Sequence, residues 1–187
     1  MERHEDKSKD LESFFSDLVA PRFNSAGVVD SAVSDYVVRL LCEFVDRRSL
    51  YRIRNADGKP IEDLGELLLE SDPVFGQASS FDREREVRKH IGDYALFFTG
   101  MFPESINSHR LRRHRLENFV DFIKAGKESY HIVAQFDLYE YEGEAHLFEQ
   151  LSRAFERCVF GLNQVRSDLQ AMQHPITRNP EEPRLLM

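Results

Sequence analysis

The stretch DREREVRKHIGDYALFFTGMFP, residues 82–103, decides the fold. Its first half carries Arg83, Glu84, Arg85, Glu86, Arg88 and Lys89, and its second half runs apolar through Tyr94-Ala95-Leu96-Phe97-Phe98. Val87, Ile91, Tyr94, Phe98 and Met101 recur at helical spacing. Asp82 suits a helix start, and Pro103 stops the pattern. The spacing predicts a helix with a charged front half at the surface and a back half inside. Such a helix is central to its fold.

The same period extends outward. Leu11, Phe14, Phe15, Leu18 and Val19 predict a first helix ended by Pro21. Asp30 is an N-cap for a second, with the stripe Val33, Val37, Leu40, Leu41 and Phe44 running toward Arg48. Residues 52–60 have turn composition around Asn55-Ala56-Asp57-Gly58. A short helix is expected from Ile61 to Glu70, and a connector from Glu104 to Arg115. A fifth helix is expected from Leu116 to about Leu138, and a sixth, the longest, from Glu144 to Met172. That last helix carries Leu147, Leu151, Ala154, Cys158, Leu162, Val165, Leu169 and Met172 as one apolar seam. The best strand candidate, Leu50 to Arg54, is poor. The reading is all-α: a single-domain bundle of about six helices over residues 1–172, with a long C-terminal helix. Residues 173–187, with Pro175, Pro180 and Pro183, read as a flexible C-terminal tail.

Composition narrows function. The chain has 187 residues, enough for a core without disulfides or metals. Acids outnumber bases 33 to 25, a net charge of −8. That balance argues against sequence-specific nucleic-acid binding and against docking on anionic membrane. No run of ~18 apolar residues exists to span a bilayer, and the N-terminus lacks the apolar core of a secretory signal. Two cysteines, Cys42 and Cys158, make no disulfide framework, so a reducing cytoplasm is expected. There is no P-loop, no Gly-x-Gly-x-x-Gly and no Gly-x-Ser-x-Gly, so no cofactor is implied and the balance leans away from an enzyme.

Four constellations remain. Asp93 sits mid-helix, where Asp is disfavoured, beside the core stripe. His90 shares its flank, and a buried carboxylate needs a partner. Lys127, near Gly126 and Tyr130 on the fifth helix, is the expected one. Asp93, His90, Lys127 and Tyr130 thus form a candidate polar pocket. The plainer alternative is a structural ion pair that fixes helix register. Second, His109, Arg110, Arg112, Arg113, His114 and Arg115 make a candidate anion-binding run. It could equally pair with the chain's own excess acid. Third, Glu128 and His131 have the Glu-x-x-His spacing of helical metal sites. On a helical wheel they lie roughly 170° and 110° from the apolar centre, so they point largely to solvent. Fourth, neither cysteine has the surroundings of an activated thiolate.

The run Gly92 to Ser105, followed by Gly126-Lys127-Glu128-Ser129-Tyr130, resembles an uncharacterised family of bacterial all-helical proteins. The resemblance implies a bacterial, cytoplasmic origin and brings no activity or ligand.

Three functions follow from these residues. The first is a contact protein acting as a homodimer through the apolar seam, with other protein partners as an extension. The second is a small-ligand binder or enzyme at Asp93, Lys127 and Tyr130. The third is a metal- or haem-oxygenase-like helical enzyme using Glu128 and His131.

Overall fold

The computed structural model describes residues 2–74, 80–108, 119–136 and 143–173, the side chains of 2–8, 107 and 108 excepted. Among them the fold is all-α, with nine helices and no strand. These are α1 (Glu2–Ser25), α2 (Ser31–Phe44), α3 (Arg47–Leu50), α4 (Leu64–Glu70) and α5 (Phe81–Met101). They are followed by α6 (Pro103–Ser108), α7 (Phe119–Ala134), α8 (Ala145–Arg153) and α9 (Phe155–Gln173).

The difference from six helices has local causes. The second helix stops at Phe44, and Asp46 caps a separate turn, α3, by accepting from the Arg48 N–H at 2.9 Å. Pro103 ends α5, but it also opens α6, because a first-turn proline gives up no helical hydrogen bond. The long last helix is divided at Ala154, which leaves the helical backbone region. Its halves then serve different neighbours: α8 packs on α7 and α2, and α9 on α5 and α1.

Other boundaries moved. Pro21 lies inside α1 rather than ending it. The helix runs on because its last turns are anchored: Phe23 is fully buried, and Arg22 binds Asp168 at 2.6 and 2.7 Å. The actual stop is Gly27, whose φ of 78° suits glycine. There the Gly27 N–H donates to the Asn24 carbonyl and the Val28 N–H to the Phe23 carbonyl. Helix α4 starts at Leu64, where Asp63 accepts from the Glu66 N–H at 2.8 Å. The expected strand near Leu50 is reduced to one antiparallel bridge between Arg54 and Pro60.

Helix α5 is central, as its sequence predicts. Every residue from His90 to Met101 is buried, while Phe81, Asp82 and Glu86 are exposed. It packs on α4, α6, α7 and α9, and the buried apolar residues form one contiguous cluster. Close packing depends on missing side chains. A Cβ on Gly126 would stand 2.6 Å from Phe155 Cε2 and 2.9 Å from Ala95 Cβ. The seam of the last helix is spent here too: Leu151, Cys158, Leu162 and Val165 are fully buried within the chain.

Gly126→Ala tests this packing. Alanine gains about 1 kcal/mol of helix propensity, while overpacking costs about 1–3 kcal/mol. Because Phe155 is fully buried and Ala95 has nowhere to turn, the clash should win. Urea unfolding should show a net loss of about 1–2 kcal/mol. A variant as stable as the parent would contradict the close α5–α7–α9 packing.

Candidate functional site

Asp93 occupies the third turn from the end of α5 and is 1% exposed. Its carboxylate has three donors. The Tyr36 hydroxyl donates to Oδ1 at 2.5 Å, and the Tyr130 hydroxyl donates to the same oxygen at 2.8 Å. Lys89 Nζ donates to Oδ2 at 3.0 Å. Donors to a charged acceptor make short, strong bonds, and the first of these has that length. Three helices thus converge on one side chain: α2 through Tyr36, α7 through Tyr130, and α5 itself through Lys89.

Local geometry explains each partner. Lys89 stands one turn before Asp93, so their side chains share a face. Its ammonium also lies 5.1 Å from the Tyr36 ring centre, a cation–π distance. Tyr130 reaches Asp93 because Gly92 has no side chain. A Cβ there would stand 2.5 Å from Tyr130 Cδ1 and closer still to Cε1. Phe148 fixes both tyrosines, with ring centres 5.6 Å from Tyr36 and 5.7 Å from Tyr130. Burial, reinforced by the Asp93 charge, pushes both phenols well above their ordinary range. Both therefore keep their protons and act as donors.

Lys127, the expected partner of Asp93, is not in this cluster. Its Nζ pairs with Glu156 Oε1 at 2.5 Å, on the half-exposed side of α7 facing α9. The reason is rotation. Phe119 and Ile123 are only partly buried. The buried face runs through Phe122, Ala125, Gly126, Ser129, Tyr130 and Val133, which turns Lys127 to its margin.

His90 is fully buried beside the cluster, between the rings of Phe44 at 5.9 Å and Tyr94 at 6.1 Å. Neither ring nitrogen meets a partner in hydrogen-bonding geometry. Burial lowers its pKa to about 4, helped by the Arg52 and Lys89 charges and opposed by Asp93. It is a neutral imidazole at ordinary pH.

The cluster is sealed on one side and open on the other. Tyr130 is 0% exposed. Tyr36, Lys89 and Asp93 instead line a cleft of about 250 Å³, shared with Arg39, Glu43 and Glu144. Leu40, Leu147 and Phe148 give it an apolar wall. Lys89 keeps a quarter of its side chain exposed there.

The other constellations are simpler. His109, Arg110, Arg112, Arg113, His114 and Arg115 lie outside the described residues. Glu128 and His131 are both exposed, as the wheel predicts. His131 Nδ1 faces Glu149 Oε2 at 3.3 Å, and Glu128 borders a shallow depression with Lys124 and Lys127. Among the described residues no three His, Cys, Asp or Glu side chains converge as a metal site. No helix there is long and apolar enough to cross a membrane. Both cysteines are free thiols; burial pushes Cys158 up to about 12 and also raises Cys42, so neither is an activated nucleophile.

Two partners were missed in the sequence. Lys89 was readable, since Lys-x-x-x-Asp spacing spans one helical turn, but it sits in the charged half assigned to the surface. Tyr36 was not: 57 residues separate it from Asp93, and only tertiary packing joins them.

Two predictions follow from the cluster. Tyr130→Phe removes one hydrogen bond to a buried charge and should cost about 2 kcal/mol in urea unfolding. A cost under about 0.5 kcal/mol would show that the bond carries little. The second concerns pH. His90 takes up a proton near pH 6.5 when unfolded and only near 4 when folded, so acid favours the unfolded chain. Its contribution is intact above about pH 6.5 and falls progressively toward pH 4, by about 3 kcal/mol at most. His90→Phe should flatten this part of the stability–pH curve. An unchanged slope in that variant would contradict a buried neutral His90.

No protein-family model, curated protein or solved structure matches the chain at a significant level, so the site is read from its own geometry.

Proposed function

We propose that this protein binds a small molecule in the cleft between α2, α5 and α8, with the Asp93 cluster as its polar floor. The observation that carries this reading is the one-sided exposure of the cluster. Here Tyr36 and Lys89 donate to Asp93 from the wall of an open cleft. Lys89 keeps a quarter of its side chain exposed there, and its ammonium has hydrogens to spare. Leu40, Leu147 and Phe148 supply apolar area beside these groups. Charged groups predominate on the cleft's lining, and the apolar side chains form one edge.

This reading takes the place of the contact-protein reading. The apolar seam that motivated a homodimer is buried in the chain's own core from Leu151 to Val165, with Phe160 exposed on the opposite face.

Ligand-observed NMR with a library of small polar fragments tests the proposal. Hits should bind the parent and lose their signal in Leu147→Trp, where the indole fills the cleft from the α8 side. Leu147 is only partly buried, so this variant should keep its fold. Hits that bind both proteins equally, or a screen with none, would contradict it.

A further inference from the structure

We infer that the cleft selects a small monocarboxylate with a compact apolar body, bound through Arg39. This rests on the ligand-site reading above and adds the class of ligand.

The inference comes from the charges that face the cleft. Among the described residues each carboxylate on its wall contacts a cation. Glu43 pairs with Arg52 at 3.0 Å, Asp93 with Lys89 at 3.0 Å, and Glu144 with Arg85 at 2.5 Å. Arg39 is left over. It is exposed on α2 and lines the cleft, and among the described residues it has no ion-pair partner. Glu43, one turn further along α2, is engaged by Arg52 instead. Asp35, one turn earlier, does not come within ion-pair distance of it.

So in a chain of net charge −8 the Arg39 guanidinium, at the edge of the polar cleft, meets no carboxylate among the described residues. One surplus charge matches one carboxylate. A phosphate monoester would bring close to two negative charges to a wall that already holds three carboxylates. A guanidinium also presents paired N–H groups that fit a carboxylate edge-on. The apolar part of the ligand then lies on Leu40, Leu147 and Phe148, where an aromatic or branched body gains most. The Lys89 ammonium, still bound to Asp93, adds a second positive edge without being drawn out of its pair.

The test is an amide-resolved NMR titration of the intact chain with benzoate, benzamide, benzylamine and phenyl phosphate. Benzoate should shift signals of Arg39, Leu147 and Phe148 saturably, with a Kd about tenfold or more below those of the other three. Arg39→Gln should raise the benzoate Kd to the benzamide level, and Arg39→Lys should restore part of the difference. Arg39 is exposed, so neither variant threatens the fold. Benzamide, benzylamine or phenyl phosphate binding as tightly as benzoate in the same cleft would overturn the carboxylate while leaving the ligand site standing. An unchanged benzoate Kd in Arg39→Gln would do the same. No saturable shift at the cleft from any of the four, up to millimolar concentration, would overturn both.

Discussion

A carboxylate in the middle of the most apolar helix governs how this protein is put together. An unpartnered charge at the position of Asp93 would cost several kcal/mol. The fold meets that demand with groups from three helices: Lys89 one turn away on α5, Tyr36 from α2 and Tyr130 from α7. Two phenols share one oxygen, so the spacing of α2 and α7 around α5 is fixed to within hydrogen-bond tolerance. Gly92 lets the Tyr130 ring lie against the α5 backbone. Phe148 on α8 packs both rings and places that helix in turn. A purely apolar interior could hold the same helices together, but it would leave their rotation and register less determined.

The same arrangement leaves one flank unsealed. Tyr130 closes the cluster toward the core, whereas Tyr36 and Lys89 stand at a cleft with an apolar wall. Among the described residues the carboxylates around that cleft are paired with cations, and Arg39 has no ion-pair partner. A small anion with an apolar body satisfies both features at once. The apolar seam of α8 and α9 does different work. The break at Ala154 lets its first half cover α7 and its second half cover α5 and α1. Leu151, Cys158, Leu162 and Val165 are thereby consumed inside a single chain.

What was legible in the sequence follows from the range of the interactions. Helix α5 was readable from end to end because both its period and its change from charged to apolar are local. Asp93 was readable as an anomaly for the same reason. The failures are non-local. Lys127 was offered as the partner of Asp93 because it stands beside Gly126 and near Tyr130 on the fifth helix. Packing against α5 and α8 instead buries Phe122 and Ser129 and rotates Lys127 toward Glu156. Pro21 looked like a stop because its effect on the backbone is local. The burial of Phe23 and the Arg22–Asp168 pair, which carry the helix past it, involve a partner near the far end of the chain. The division at Ala154 has no glycine or proline to announce it. Tyr36 could be read as part of a core stripe, but nothing in α2 alone aims its hydroxyl at a residue on α5.

Hydroxyl-proton NMR on the unliganded protein is the most direct measurement of the central claim, that Asp93 is held by two tyrosine donors in a cluster open on one side. Two tyrosine hydroxyl protons, assigned with Tyr36→Phe and Tyr130→Phe, should be protected from exchange with water. The Tyr36 proton, at the cleft, should exchange faster than the Tyr130 proton, which is sealed in the core. Equal protection of the two would make the cluster an enclosed structural pair and remove the site. No protected hydroxyl at all would contradict the hydrogen bonds on which the account rests.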